Sequence, residues 1–242
     1  MKKEYWFILI AYIVMQFSSI AGVPLVVFAA SLFGKPPEDI EIFAVAAWIM
    51  ISFTITLIIT LALLRKEMKN NPMRSASSPI TAAAWAIGGV FLALFAQSFA
   101  ANIERLIGIE MGSENTQSIM RLIEAFPFVI LISSIIGPIL EEIVFRKIIF
   151  GALHQRLNFI LSALISSVIF ALAHAEPEHV LLYSAMGFTF AFLYVRTKRI
   201  IVPIFAHVSM NTLVAILQLN QESIENWLQQ MEKMQAIIGG LL

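Results

Sequence analysis

The sequence has no cysteine among its 242 residues, and only 13% of its residues are charged. The lack of cysteine excludes disulfides, cysteine-ligated zinc, iron–sulfur clusters, thiol nucleophiles and prenylation of this C-terminus. The 16 basic residues are balanced by 16 acidic ones, so we expect no nucleic-acid partner. A soluble domain is about half apolar and about a quarter charged. With 59% apolar residues, the composition instead predicts an integral membrane protein.

Seven apolar segments are candidates for membrane helices, each of which needs roughly 20 apolar residues. They cover residues 6–33, 43–64, 80–107, 126–153, 159–175, 180–195 and 200–219. After Asn220, apolar residues recur at helical spacing among charged ones, which predicts an amphipathic helix with Trp227 at the membrane interface. We therefore predict an all-α fold, a polytopic transmembrane bundle of about seven helices. It forms a single membrane domain over residues 1–242, with the amphipathic tail at 220–242.

The basic residues indicate how this bundle is oriented. If the N-terminus is cytoplasmic and each segment crosses once, 12 of the 16 basic residues lie on the cytoplasmic side. Most of the acidic residues then lie on the opposite side. Cytoplasmic loops of membrane proteins carry an excess of Lys and Arg. The charge distribution therefore predicts a multi-pass membrane protein with its N-terminus in the cytoplasm.

The fourth apolar segment contains three charged residues, although each charge at a helix centre costs about 2.5–3.5 kcal/mol on insertion scales. Glu142 and Arg146 are four residues apart on one helical face, in the order that favours an ion pair, so they are interpreted as structural. Glu141 lies about 100° around the helix and has no partner on its own face, which leaves it available as a general base. Pro138 is expected to distort the helix so that Glu141 faces a cavity.

Two later apolar segments each contain a polar pair at helical spacing. Phe170 and His174 form an F-x-x-x-H pattern, and His207 and Asn211 form an H-x-x-x-N pattern. Together with Glu141 they provide a base, an orienting group and donors for an oxyanion. The alternative is that each histidine is only a hydrogen-bond partner between helices.

Four polar residues outside these patterns are given no chemical role. His154 and His179 are expected at helix ends or in loops. Glu176 and Glu178 are expected to form a solvated loop surface.

The ordered trio of motifs, E-E-x-x-x-R at 141–146, F-x-x-x-H at 170–174 and H-x-x-x-N at 207–211, resembles one family of proteins. This is the family of CAAX proteases and bacteriocin-processing enzymes (CPBP), also called the Abi or Rce1-like family, which are intramembrane endopeptidases. The resemblance covers residues from about 127 to 211. The earlier part of the chain matches only in consisting of hydrophobic helices.

The resemblance implies a role for each of four polar residues. Glu141 would be the general base that activates a water molecule for attack on a peptide carbonyl, and His174 would hold or polarise that water. His207 and Asn211 would stabilise the oxyanion of the tetrahedral intermediate.

The resemblance leaves the cofactor open. Glu142 and Arg146 would hold the fourth helix in place, as the spacing also indicates. Glu141, His174 and His207 suit zinc in residue type, so a divalent metal is the alternative to a metal-free glutamate mechanism. The glutamate mechanism is favoured, because the H-E-x-x-H spacing is absent and the candidates come from three separate helices.

One difficulty concerns depth in the membrane. On straight helices, His174 lies near the opposite end of its segment from Glu141 and His207, a mismatch of roughly 10 Å. A kink at Pro138, tilted helices or an earlier end to the fifth segment would remove the mismatch.

The predicted function is that of an intramembrane endopeptidase for small peptides or membrane-associated proteins, of the bacterial peptide-maturation or bacteriocin self-immunity type. Its water-filled cavity is expected to open to the cytoplasm. The alternatives are a non-catalytic membrane regulator that binds a partner such as a sensor kinase, and a proton-coupled transporter that uses Glu141. The lack of an internal repeat weighs against the transporter. The expected partners are a peptide or membrane-protein substrate and the lipid bilayer, and the sequence does not predict an oligomeric state.

Overall fold

The structure is a computed structural model that describes residues 1–33, 37–70 and 76–239. Within these ranges the chain forms nine helices and no strand, so the all-α prediction is confirmed. The helices are α1 (Lys3–Ser31), α2 (Pro37–Asn70), α3 (Pro79–Leu106), α4 (Glu114–Ala125), α5 (129–154), α6 (Phe159–Leu172), α7 (Pro177–Thr197, beginning with one 3₁₀ turn), α8 (Ile201–Leu219) and α9 (Gln221–Gly239).

Five helices in the described ranges are long and apolar enough to cross a membrane, namely α1, α2, α3, α7 and α8. They match the first three and last two predicted segments, so the prediction of a polytopic helical bundle is confirmed. The other two segments differ from the expectation. Helix α5 is continuous but irregular, and α6 has only 14 residues.

Helix α5 contains two stretches with π-helical hydrogen bonding, Ile132–Ile136 and Glu142–Phe150. Pro138 lies between them, in the short α-helical part Gly137–Glu141. Proline has no N–H to donate and its ring displaces the preceding turn, so a regular α-helix cannot continue through it. The distortion expected at Pro138 takes the form of wide π turns, which proteins use at functional sites.

Helix α4 was not expected from the sequence. Ser113 caps its N-terminus, since the Ser113 hydroxyl accepts a hydrogen bond from the Thr116 N–H at 2.9 Å. The apolar face of α4 contains Ile119 and Ile123, which pack near Val129 at the start of α5. The helix has too few apolar residues in sequence to be recognised as a membrane segment.

Small residues allow the central helices to approach closely. The face of α6 toward its neighbours contains buried serine and alanine residues, including Ser166 and Ser167. A β-carbon at Gly187 of α7 would lie 2.9 Å from the Ser167 β-carbon, so only glycine permits this approach. Interfaces between membrane helices are enriched in such small residues. The largest apolar core surrounds α5 and includes Leu140, Phe145, Phe170, Phe190 and Met210.

Ionic contacts define one end of the bundle, here called the N-terminal face. Lys2 of the N-terminus and Lys147 of α5 each lie 2.8 Å from the Glu67 carboxylate near the end of α2. At the same end, the Ser77 N–H before α3 donates to the Thr197 carbonyl at the end of α7. The N-terminus, the α2–α3 connection and the α7–α8 turn therefore share one face.

The tail predicted over 220–242 forms α9 as far as Gly239. Its described side chains, at 221–235, are all exposed. Residues 240–242 lie outside the described residues.

Candidate active site

A buried ion pair on α5 lies beside the site. The Glu142 and Arg146 side chains are both completely buried, and the Arg146 Nε lies 3.3 Å from Glu142 Oε2. The ion pair expected from their spacing on α5 is therefore present. Glu142 Oε1 also lies 2.9 Å from Nδ1 of His207 on α8, so one carboxylate joins the arginine to the histidine.

Aromatic rings surround the Arg146 guanidinium. Its central carbon lies 4.2 Å from the Phe170 ring centroid, 5.3 Å from that of Phe190 and 6.0 Å from that of Phe145. A cation over an aromatic face is stabilised by the ring quadrupole. Among the described residues, none forms a hydrogen bond with the terminal guanidinium nitrogens. Glu142 and the three aromatic rings therefore compensate for the buried positive charge of Arg146.

The hydrogen bond to Glu142 fixes the orientation of His207. Because a carboxylate only accepts hydrogen bonds, Nδ1 of His207 carries the proton in this contact. The ring lies against Phe190, with centroids 4.5 Å apart. Its other nitrogen, Nε2, lies 3.7 Å from Glu141 Oε2. His207 thus lies between the two adjacent glutamates of α5.

His174 lies in the turn that follows α6, and not on a helix. Its Nδ1 lies 2.9 Å from the Phe170 carbonyl oxygen and donates to it, which leaves Nε2 as an acceptor. The ring stacks on Tyr183 of α7 with centroids 4.0 Å apart. The chain then turns at Ala175, whose φ of 58° is in the left-handed region. Because α6 ends at Leu172, three residues before the predicted segment ends, His174 reaches the same cavity as Glu141 and the expected depth mismatch is removed.

A cavity of about 750 Å³ connects these groups. Glu141, His174, His207 and Asn211, the four residues expected to be catalytic, all line it. The Asn211 amide, one turn after His207 on α8, donates to the Ser133 carbonyl of α5 at 3.4 Å. The Glu141 side chain is 19% exposed, whereas Glu142 and Arg146 are buried outside the cavity lining.

Sequence reasoning missed a buried polar group at the end of the bundle opposite the N-terminal face. Glu104, near the end of α3, is 2% exposed. Its Oε2 lies 2.9 Å from Nδ1 of His179, and its Oε1 accepts from the Leu182 N–H at 2.9 Å. Nε2 of His179 lies 3.1 Å from the Gly112 carbonyl. His179 lies at a helix end, as expected, and it connects α3, the α3–α4 loop and α7, a structural role that the sequence did not indicate.

The solvated position expected for Glu176 is also wrong, since this residue is 6% exposed. Its carboxylate accepts from the Asn115 N–H at 2.8 Å, from the Ser113 hydroxyl at 2.8 Å and from the Tyr183 hydroxyl at 2.6 Å. Burial raises the pKa of Glu176, but these hydrogen bonds outweigh it and hold the pKa below the usual value. Glu178 is exposed, as expected. Ser113 and Asn115 are more than 60 residues from Glu176 in sequence, so no local pattern indicates these two contacts.

The donor set expected for a metal was Glu141, His174 and His207. Over the described ranges, no group of three or more histidine and carboxylate side chains is arranged to hold a metal ion. His207 and His174 each use one ring nitrogen on a protein acceptor, Glu142 and the Phe170 carbonyl. Within the described ranges, these three side chains therefore form no preassembled metal-ligand cluster.

Comparisons with known proteins agree with the motifs. Residues 123–213 match the model of the family described as type II CAAX prenyl endopeptidase Rce1-like, and this range contains the residues of all three sequence motifs. The chain is 51% identical over 244 residues to "Putative membrane peptidase YdiL" of Bacillus subtilis (strain 168), covering 100% of this chain and 99% of YdiL. It is 38% identical over 154 residues to "Membrane-embedded CAAX protease MroQ" of Staphylococcus aureus (strain USA300), covering 60% of this chain and 62% of MroQ. No solved structure matches the chain.

The fold and the site thus define a polytopic helical membrane protein with a cavity beside a twin-glutamate helix. The chain belongs to the Rce1-like CAAX endopeptidase family, and the family membership expected from the three motifs is confirmed. The similarity to YdiL extends over the whole chain, whereas the motifs cover only its later part.

Proposed function

We propose that the chain is an intramembrane endopeptidase in which Glu141 activates a water molecule for attack on a peptide bond. The observation that carries this proposal is the convergence of Glu141, His174, His207 and Asn211 on one cavity within the bundle. Membership of a peptidase family supports it, as does the similarity to two relatives whose names describe a membrane peptidase and a CAAX protease.

In the proposed reaction, Glu141 removes a proton from water while the water oxygen attacks the carbonyl carbon of the substrate. The free Nε2 of His174 accepts the second hydrogen of the water and orients it. As the C–N bond of the tetrahedral intermediate breaks, Glu141 returns its proton to the leaving amine. The products are a carboxylic acid and an amine, and the carboxylate of Glu141 is regenerated.

His207 and Asn211 supply donors for the oxyanion of that intermediate. This role requires a hydrogen on both ring nitrogens of His207 in the reaction, and carboxylates lie beside both nitrogens, Glu142 at Nδ1 and Glu141 at Nε2. The N–H at Nε2 and the Asn211 amide can then hydrogen-bond the oxyanion, which gains charge only as the reaction proceeds. Glu142 is a positioning residue in this scheme, because it sets the orientation of His207, and Arg146 holds Glu142.

The substrate class follows from the size and location of the cavity. A volume of about 750 Å³ is within the range of small-ligand sites and accommodates a short extended peptide. We propose that the substrates are small peptides or the ends of membrane-associated proteins, as in bacterial peptide maturation or bacteriocin self-immunity. The chain would act in the cell membrane, with its N-terminus in the cytoplasm.

The test compares cells that carry the wild type, Glu141→Gln and Glu178→Gln at equal membrane levels. Glu178 is an exposed glutamate that does not line the cavity, so its variant is the matched control. Mass spectrometry of membrane proteins and secreted peptides should find cleaved ends in the wild type and the control, and should lose them in Glu141→Gln. Identical profiles in all three would contradict the peptidase and favour the non-catalytic regulator. Uptake driven by a pH gradient, with no cleaved ends, would favour the transporter.

The choice between a glutamate and a metal mechanism needs its own experiment. We expect the cleavage rate of purified protein to be unchanged by EDTA or 1,10-phenanthroline, because Glu141 acts directly on water in this scheme. Loss of the rate in chelator, followed by recovery on adding zinc, would contradict the glutamate mechanism.

A further inference from the structure

The cavity occupies only one half of the bundle. On α5 its lining residues extend from Val129 to Glu141, and none comes from the half that follows. On α8 they begin at His207 and extend toward the end of the helix at Gln218. The α3–α4 loop and α4 also contribute to the lining, for example through Ser113. The cavity therefore extends from the level of Glu141 toward the end of the bundle opposite the N-terminal face.

The charges identify which side of the membrane that end faces. Of the 12 basic residues grouped in the sequence, 11 lie in the described ranges: at the N-terminus, in the last turns of α2, in and just after the second half of α5, and around the α7–α8 turn. Arg74 lies outside the described residues. Contacts such as Lys2 and Lys147 with Glu67 bring these segments to the N-terminal face. The opposite end contains acidic residues such as Glu104, Glu114 and Glu176. The excess of Lys and Arg on cytoplasmic sides assigns the N-terminal face to the cytoplasm.

We propose that the catalytic cavity is entered from the extracytoplasmic side, so that the substrate is a peptide segment presented at or beyond the outer leaflet. This inference rests on the proposed function for the identity of the substrate, but not for the direction of access. It corrects the expected cytoplasmic opening: a cytoplasmic N-terminus and a cytoplasmic opening are incompatible in this fold.

The depth of the site agrees with such access. From Val129 to Glu141, α5 rises roughly 18 Å at 1.5 Å per residue, a little more than half of a hydrocarbon core of about 30 Å. Glu141 then lies near the middle of the membrane, at the inner end of the cavity. Exposed polar side chains along the cavity, Gln16 and Ser19 of α1 and Gln218 of α8, give water and a peptide backbone hydrogen-bonding groups on the way.

Buried hydrogen bonds hold the outer rim in place. Glu104 and His179 fix the α3–α4 loop through the Gly112 carbonyl, and Glu176 fixes the start of α4 through Ser113. Gly112, Ser113 and His179 are themselves part of the cavity lining. The buried carboxylates of Glu104 and Glu176 keep this rim open without a bound substrate, because closing it would leave them without hydrogen-bond donors.

The natural absence of cysteine makes the direction of access directly measurable. Single cysteines are introduced at two cavity positions, Ser133→Cys and Thr116→Cys. Lys66→Cys, exposed near the N-terminal face, and Glu178→Cys, exposed at the opposite end, are the two controls. Intact cells are treated with a membrane-impermeant methanethiosulfonate, and the remaining free thiols are counted by a mass-shift reagent after lysis. Melting temperatures of the purified variants verify that each one is folded.

We expect Ser133→Cys, Thr116→Cys and Glu178→Cys to be modified in intact cells, and Lys66→Cys to be modified only in inverted vesicles. If the cavity cysteines react only when the cytoplasmic side is accessible, as Lys66→Cys is expected to do, the inference is overturned. So would the failure of both cavity cysteines to react from either side. Cells in which Lys66→Cys reacts and Glu178→Cys does not would show the opposite orientation and overturn it as well.

The substrate part of the inference has a separate readout. The cleaved ends that depend on Glu141 should map to extracytoplasmic segments of their parent proteins, and ends in cytoplasmic segments would overturn the inference. Labelling does not require cleavage. A protein that labels as expected but yields no cleaved ends would therefore contradict the proposed peptidase and leave the direction of access established.

Discussion

Replacing Glu142 with glutamine should destabilise the protein far more than the same change at the neighbouring Glu141. Glutamine keeps the size of Glu142 and an oxygen for the His207 Nδ1–H, so the change removes mainly the negative charge beside Arg146. Breaking a buried ion pair by removing one partner costs about 3–5 kcal/mol, because the other charge remains buried. Aromatic rings around a cation contribute about 2 kcal/mol, so the rings around Arg146 cannot replace the carboxylate.

The measurement is thermal unfolding of the purified variants in the same detergent. At about 2–4 °C per kcal/mol for a chain of this size, Glu142→Gln should lower the Tm by roughly 6–20 °C. Glu141→Gln is the matched control, since its side chain reaches the cavity and its nearest basic atom is 3.7 Å away on His207. We expect that control to change stability by less than about 1 kcal/mol, as partly solvated pairs do.

A double variant separates the charge from the loss of packing. Glu142→Gln combined with Arg146→Met removes both ions, and replacing a buried pair by apolar groups is often close to neutral. The double variant should therefore be more stable than Glu142→Gln alone. This account of the buried pair would be refuted if Glu142→Gln had the same Tm as the wild type. It would also be refuted if the double variant were no more stable than Glu142→Gln alone.

Three further predictions follow from contacts described above. Asn211→Ala should reduce kcat about 10²–10³-fold with little change in KM, as loss of an oxyanion donor does, and steady-state kinetics showing only a raised KM would contradict that role. Gly187→Ala should destabilise by about 1–3 kcal/mol, because its β-carbon would meet Ser167. Gly88→Ala, with no atom within 4 Å of its β-carbon, should instead stabilise by up to about 1 kcal/mol, and equal melting temperatures for the two alanine variants would contradict this packing. Because hydrogen bonds hold the Glu176 pKa below its usual value, its contribution to stability is complete above a pH of about 4.3 and is lost as the pH falls through the folded-state pKa. Thermal melts from about pH 6 to about pH 3 should show a shallower acid decline in Glu176→Gln, and an unchanged decline would contradict the assignment.

The sequence was sufficient for the features that depend on local spacing. The apolar runs predicted the long helices, and the i, i+4 spacing of Glu142 and Arg146 predicted their ion pair. The order of the three motifs indicated the family. Each of these signals is contained in one helix or in the order of the elements along the chain.

The rest depends on contacts between distant segments. The Glu142–His207 hydrogen bond joins residues 65 apart, and the Glu104–His179 contact joins residues 75 apart. In both pairs, the sequence around one residue does not indicate its partner. Helix α4 was missed for a different reason, since its apolar face is short and its N-terminal signal, Ser113 followed by Glu114, is weak on its own.

The shortness of α6 has a consequence for the surrounding lipid. Its 14 residues rise roughly 21 Å, about 9 Å less than the hydrocarbon thickness of an average bilayer. A helix of this length does not span the hydrocarbon by itself, and non-helical backbone within the hydrocarbon is tolerated only against protein or water. A bilayer that thins locally around α6 relieves this mismatch and brings the aqueous phase closer to His174. Membrane thickness then becomes a physical variable that sets how far water must travel to reach the cavity beside Glu141.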